Sequence, residues 1–441
     1  MKTKTLLIPI LLALFLLNFH SCSKPKSPSP DDYNSQILLS WNELVFKTAI
    51  AEDGLMTLKG VRTAAMMHTA VHDALNSIYP LYERYGFKEN AHWLNPEIIA
   101  SQAAYQVARA QYPDQGPVFK QELDKVLSQV EDSQEKIDAI YIAEAVARAV
   151  LNKRSNDKWN GEASYDFHPM APGVYAEFNE HSGTPEGFIF GAGWAQSEPF
   201  LLDSPDHFRS PPPPDIKSEA YTKAFEEVKS FGSHQSEVRT VDQAHLAMWW
   251  KDFVENSHNR LARDLVAKEK LNLWEGARLF ALLNMTVYDA YVNVFDNKFH
   301  YNHWRPYTAI RWAANDENPD TEADTQWNNL HKHTYAFPSY PSAHGTASSA
   351  AMTVLAYTLG KGNEYSFSMR TDSVDKAGPF SGKVAMNPPA RSFEKFTDAG
   401  LEASMSRVYL GIHFRYDSEE GHALGNKIGT YACDNFLLKI E

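Results

Sequence analysis

The sequence predicts an all-α protein built as two packed helical bundles. Three observations carry that prediction: apolar residues recur with helical period nearly throughout, period-two runs are scarce, and one early helical stretch is echoed in the second half. From Val61 to Ile78, the row Val61, Ala65, Met66, Ala70 and Ala74, with Met67, Val71 and Ile78 beside it, makes a broad apolar helix face. Further helices are expected near 97–111, 118–130, 134–154, 218–229, 241–256, 259–268, 271–293, 343–359 and 392–413. Gly60, Arg62, Ala65, Val71, Asp73 and Ala74 align at a constant offset with Gly276, Arg278, Ala281, Val287, Asp289 and Ala290, which places His68 on Asn284 and His72 on Tyr288. We read this as an internal duplication whose first copy lacks the chemistry of the second. Residues 35–168 are then an N-terminal bundle and residues 218–441 a C-terminal one. The Pro- and Gly-rich residues 169–217, which contain Pro211-Pro212-Pro213-Pro214, read as a stiff connector.

Ahead of the bundles, Met1-Lys2-Thr3-Lys4 leads into an apolar run from Leu6 to Leu17 that is short for a bilayer span, so residues 1–21 read as an export signal. Ser21-Cys22 looks like a bacterial lipoprotein cleavage junction. The expectation is a cell-envelope protein anchored by lipid at Cys22, with residues 22–34 as an unpacked tether; simple secretion is the alternative. With Cys22 so assigned, Cys433 is the other of two cysteines and no disulfide framework holds the fold. The formal charge of −13 argues against a general nucleic-acid binder, and no later apolar run has the length of a membrane span.

Within this acidic chain, three C-terminal segments collect cations and imidazoles: Lys298 with Arg305-Pro306, then Ser342-Ala343-His344, then Arg407 with His413 and Asp417. Arg offers a planar fork of donors, Lys a compact charge and Ser a hydroxyl, which together suit a tetrahedral oxyanion. Two histidines remain for chemistry, since a neutral imidazole can ligate or attack and a protonated one can act as an acid. Pro306 disfavours helix at Arg305 and lets its side chain project from a loop. Ser342-Ala343-His344 precedes an Ala-rich helix, whose N-terminal N–H groups make an anion cradle. Gly411 is placed to end a helix between Arg407 and His413. Of the 17 histidines, His300, His303, His331 and His333 crowd near these segments without the carboxylate and His spacing of a zinc or iron site, while His68 and His72, one turn apart, read as core residues.

The ordered triplet resembles the signature of the vanadium-dependent haloperoxidases and of the type 2 phosphatidic acid phosphatase superfamily that contains them. The resemblance implies vanadate as cofactor, with phosphate able to occupy the same site. His413 would ligate vanadium axially, His344 would act as acid and base, and Lys298, Arg305, Ser342, Arg407 and the Ala343 N–H would hold the oxygens. Ala343 departs from the glycine usual in the family. Phe337 falls where chloroperoxidases of the family carry an aromatic residue, and Asp417 is placed either to orient His413 or to brace its loop. Trp304-Arg305-Pro306 and the chain length favour a haloperoxidase that oxidises iodide or bromide with hydrogen peroxide, possible partners being an organic acceptor and a second copy in a homodimer. The alternative on the same residues is a secreted acid phosphatase working through a phosphohistidine on His413. A ligand-binding lipoprotein with an inherited pocket is a third reading, weakened by the presence of both histidines and all three cations.

Overall fold

The computed structural model describes residues 29–440, so the export segment and Cys22 lie outside the described residues. Among the described residues fourteen α-helices dominate: α1 (Gln36–Asp53), α2 (Lys59–Ile78), α3 (Pro96–Gln111), α4 (Gly116–Leu127), α5 (Gln134–Lys153), α6 (Asn179–Ser182), α7 (Glu219–Phe231), α8 (Val241–Trp249), α9 (Val254–Glu269), α10 (Leu273–Tyr301), α11 (Pro306–Trp312), α12 (Ala343–Thr358), α13 (Phe396–Leu410) and α14 (Arg415–Asn435). Four short strands, β1 (Glu364–Arg370), β2 (Ser373–Asp375), β3 (Lys383–Ala385) and β4 (Ala390–Lys395), pair antiparallel as β1 with β4 and β2 with β3.

The centre is α2 packed on α10. Every residue of α2 from Gly60 to Ile78 is buried, which a helix tolerates when its side chains are small or hydrogen-bonded, as Ala64, Ala65, Ala70, Thr63 and Ala74 are here. Around α2 pack α1, α3 and α5; around α10 pack α12, α14 and α9. One continuous apolar cluster runs from Leu38 and Trp41 through Ala70 and Leu282 to Ile428, so the two bundles share a core.

Several expected boundaries move. A single helix over 241–256 is replaced by α8 and α9 with a break at 250–253, where Trp249 and Trp250 are buried edge to face and Phe253 adopts extended backbone. Residues 392–395 belong to β4, because Phe393 alternates inward against Phe367 of β1; the helix begins at Phe396 and ends at Leu410. α10 runs past residue 293 to Tyr301, held at its start by the reciprocal Asn272 and Glu275 cap. Helices α1, α11 and α14 were not foreseen. Residues 169–217 are more than a connector: they carry α6, and Phe200, Leu201 and Leu202 donate their N–H groups to Asp289 of α10.

Candidate active site

Lys298 lies on the last turn of α10, which Asn302 stops in the left-handed conformation (φ 48°). Its ammonium is fully buried, donating to Pro338 O at 3.0 Å and Ser339 O at 2.6 Å. Arg305 has extended backbone (φ −89°, ψ 154°) ahead of Pro306, the first residue of α11. Its Nε donates to Phe337 O at 2.8 Å and its Nη1 to Ile412 O at 2.9 Å. Both cations therefore grip the segment before α12, and the Phe337 ring lies 5.2 Å from Lys298 Nζ and 4.6 Å from Arg305 Cζ.

Ser342 caps α12: its Oγ accepts from Gly345 N at 3.3 Å and its carbonyl from Thr346 N. The N–H groups of Ala343 and His344 are left without intrahelical acceptors. Ala343 is the first helical residue and keeps a negative φ, so glycine's access to the left-handed region is not needed there. Arg407 stands on the last turn of α13, and Gly411 (φ 84°) reverses the chain so that His413 follows in a short turn before α14.

Asp417, in the first turn of α14, is wholly buried and fixes His413. Its Oδ2 accepts from His413 Nδ1 at 2.9 Å, from Phe414 N at 3.1 Å and from the Ser339 hydroxyl. Orienting the imidazole and bracing its loop are thus done by the same oxygen. The contact assigns the proton to Nδ1. Nε2 is left with its lone pair, which accepts from Arg305 Nη1 at 3.1 Å.

A cavity of about 320 Å³ opens onto Ala343, His344, Arg407 and His413. Its other walls are largely aromatic: Phe188, Phe190 and Trp194 from the 169–217 segment, Phe253, Tyr291, Tyr335 and Phe337. Lys298, Arg305 and Ser342 lie behind this surface, Arg305 touching His413 and Lys298 reaching the segment through Ser339. Arg305 Nη2, Arg407 Nε and His344 Nε2 are buried with no hydrogen-bond partner among the described residues. Buried polar nitrogens without partners are rare and costly, so two guanidinium donors and an imidazole nitrogen beside one cavity mark a place built for an anion.

Electrostatics agree. Burial, then the neighbouring Arg305 charge, pushes the Lys298 ammonium well below its ordinary range, and burial lowers Arg305 to about 10. His344 and His413 are both held well below the usual imidazole range by burial, with Arg407 next in importance for His344 and Arg305 for His413. Both are therefore neutral. Burial raises Asp417, but the Ser339, Lys298, Arg305 and Phe414 N–H contacts all favour its anion. Lys298, Arg305 and Arg407 thus gather three basic side chains around the His413 and Asp417 pair, a surplus of donors that an oxyanion would fill.

Sequence reasoning passed over Ser339, which holds the Asp417 and His413 pair, although it lies within the Phe337 to Thr346 segment. It also passed over Lys251, Glu255 and Trp194, which line the cavity from distant helices and loops with no local motif. His68 and His72 are core residues: His68 Nε2 meets Asn42 Nδ2 at 3.0 Å and its ring stacks on Phe280, and His72 Nε2 meets Glu83 O at 2.9 Å. Among the described residues no helix is long and apolar enough to cross a membrane.

Comparison with known proteins places this geometry. The family model described as the VCPO second helical-bundle domain matches residues 278–440, the span from α10 to the C-terminal end of the described chain. The vanadium chloroperoxidase of Curvularia inaequalis is 23% identical, over 93% of this chain and 84% of its own length. Among solved structures, a bacterial vanadium-dependent iodoperoxidase superposes with TM-score 0.73 at 20% identity, covering 95% of this chain and 99% of that one. A holo-type bacterial vanadium-dependent chloroperoxidase gives TM-score 0.69 at 15% identity, covering 91% and 98%. The chain thus shares the fold of these vanadium-dependent haloperoxidases over most of its length, and its residues 278–440 match their second helical-bundle domain.

Proposed function

We propose that the protein is a peroxidase-type oxidoreductase, a vanadium-dependent haloperoxidase that uses hydrogen peroxide to oxidise iodide or bromide to a hypohalous species. The observation that carries this reading is the cluster of buried basic side chains Lys298, Arg305 and Arg407 beside an unprotonated His413 Nε2, with donors left unpaired at Arg305 and Arg407 and His344 Nε2 free to accept a proton. That set fits vanadate: His413 Nε2 would ligate it, and Lys298, Arg305, Ser342, Arg407 and the Ala343 N–H would hold its oxygens. Bound there, vanadate supplies a Lewis-acidic centre that activates peroxide towards halide without changing its own oxidation state.

The chain's own residues do the rest. Asp417 keeps the proton of His413 on Nδ1, which leaves Nε2 a strong donor of its lone pair. His344 is neutral and its Nε2 is unpartnered, so it can accept a proton from entering hydrogen peroxide and return it to the oxygen that leaves as water. The cations stabilise negative charge that develops on oxygen, and they do so strongly because the site is enclosed. The aromatic walls limit water and leave room for halide at the open side.

The test is iodide oxidation by the purified protein with hydrogen peroxide, in phosphate-free buffer, before and after loading with orthovanadate. Vanadate-dependent triiodide is the expected result. Absence of oxidation, together with hydrolysis of a phosphomonoester inhibited by vanadate, would overturn it in favour of the phosphohistidine reaction.

A further inference from the structure

Beside the oxyanion pocket lies a second group of basic side chains that the proposed mechanism leaves unused. His331 is 5% exposed, and neither of its ring nitrogens has a hydrogen-bond partner among the described residues. Its ring meets His333 edge to face, with centroids 5.7 Å apart and planes at 87°. His333 lines the cavity together with Lys251, Tyr335 and Arg407. The Lys251 ammonium is bound by backbone carbonyls, donating to Ala377 O at 2.7 Å and to Asp375 O. Burial, then the Arg407 charge, lowers Lys251 to about 7, the response of a cation short of negative charge. The end of β2 and the loop that follows it build this corner: they supply the Asp375 and Ala377 carbonyls, and Gly378 packs so closely that an added Cβ would come within 2.5 Å of His333 Cε1.

We infer that Lys251, His331 and His333, together with the Arg407 edge that faces them, form an anion subsite separate from the oxyanion cradle, and that its ligand is the halide. This rests on the haloperoxidase reading. A second oxyanion would demand several donors in fixed directions, whereas the corner offers an ammonium, imidazole N–H groups and aromatic rings. A monatomic, polarisable and weakly hydrated anion needs only charge, one or two N–H donors and apolar contact. The unpartnered His331 ring supplies one N–H donor at a buried position where an unoccupied N–H is otherwise unfavourable. Arg407, shared by the two sites, would hold halide and oxyanion within one electrostatic field.

The experiment is crystallography of the protein soaked in sodium bromide, with data at the bromine edge, paired with halide kinetics of Lys251→Met and His333→Gln. An anomalous peak among Lys251, His331 and His333 is expected, and it should be lost in Lys251→Met. The halide KM should rise about tenfold or more in each variant, the scale of one lost charge-assisted hydrogen bond. Orthovanadate affinity and kcat at saturating halide should stay near those of the parent. Water alone in the corner of bromide-soaked crystals, or orthovanadate bound there in place of bromide, would overturn the subsite, as would an unchanged halide KM in both variants. Because the anomalous peak needs no turnover, a protein without halide oxidation still tests the subsite. Activity with no peak and no KM change would remove the subsite and leave the proposed function standing.

Discussion

The two bundles use the same scaffold devices and differ in what they do with the ends of their helices. Asp73 of α2 accepts the N–H groups of Tyr85, Gly86 and Phe87; Asp289, its counterpart on α10, accepts those of Phe200, Leu201 and Leu202. Arg62 donates to the carbonyl of Arg154 at the end of α5, and Arg278 to that of Leu437 just past the end of α14. The aligned His68 and Asn284 lie in one buried network, through Asn42 and Asn259 of α1 and α9. Yet α2 ends at Ile78, while α10 continues to Tyr301 and carries Lys298 on the added turns. A helix end leaves unpaired groups and a fixed exit direction, so chemistry is added there at less cost to the core than in a helix interior.

Five substitutions sharpen or break this comparison. His413→Ala removes a residue without a counterpart in the first bundle and is expected to abolish stoichiometric vanadate binding while the fold persists; retained stoichiometric vanadate, measured by equilibrium dialysis, would overturn the site. Asp73→Ala and Asp289→Ala each orphan three backbone donors, and each should lose about 3–5 kcal/mol in urea unfolding. Similar losses would mark the two aspartates as equivalent supports, whereas tolerance of one would break the equivalence.

Glu255→Gln tests α9, the helix that joins the two bundles. Glu255 is buried, bonded to Tyr291 Oη at 2.6 Å, and raised to about 7 chiefly by burial. Between its ordinary value and about 7 the folded state keeps a proton that the unfolded chain has released, so stability falls as pH rises through that window. Glutamine cannot ionise. The variant should fall less from pH 5 to pH 8 and be more stable than the parent at pH 8 by up to about 3 kcal/mol, read by thermal or urea unfolding. An identical pH profile would place the carboxylate's charge outside the stability balance. The smallest effect is expected from Ala343→Gly. It should cost about 0.5–1 kcal/mol of stability through helix propensity and leave vanadate affinity nearly unchanged, because the N–H is present in both and φ is already negative. A large gain in affinity would instead make the methyl group the obstacle.

The helical class, the central pair α2 and α10 and the three charged segments were legible because each is written in local spacing: apolar period, a proline after Arg305, a cap before His344, a glycine after Arg407. The break at 250–253 and the start of α13 were not, since Trp250 and Phe393 take their conformations from partners far along the chain. Lys251, Glu255, Trp194 and Ser339 belong with these: none sits in a motif of its own, and each gains meaning from what the fold sets beside it.

By itself, then, the sequence determined the bundle architecture and the inventory of cations and imidazoles, because helix period and residue chemistry are local properties. Only the tertiary structure decided the proton position on His413, the burial that keeps both imidazoles neutral, the unpaired donors and the aromatic cavity above them. Those depend on distances and solvent exclusion between segments up to a hundred or more residues apart, such as Arg305 and His413 at 3.1 Å, and no local pattern encodes them.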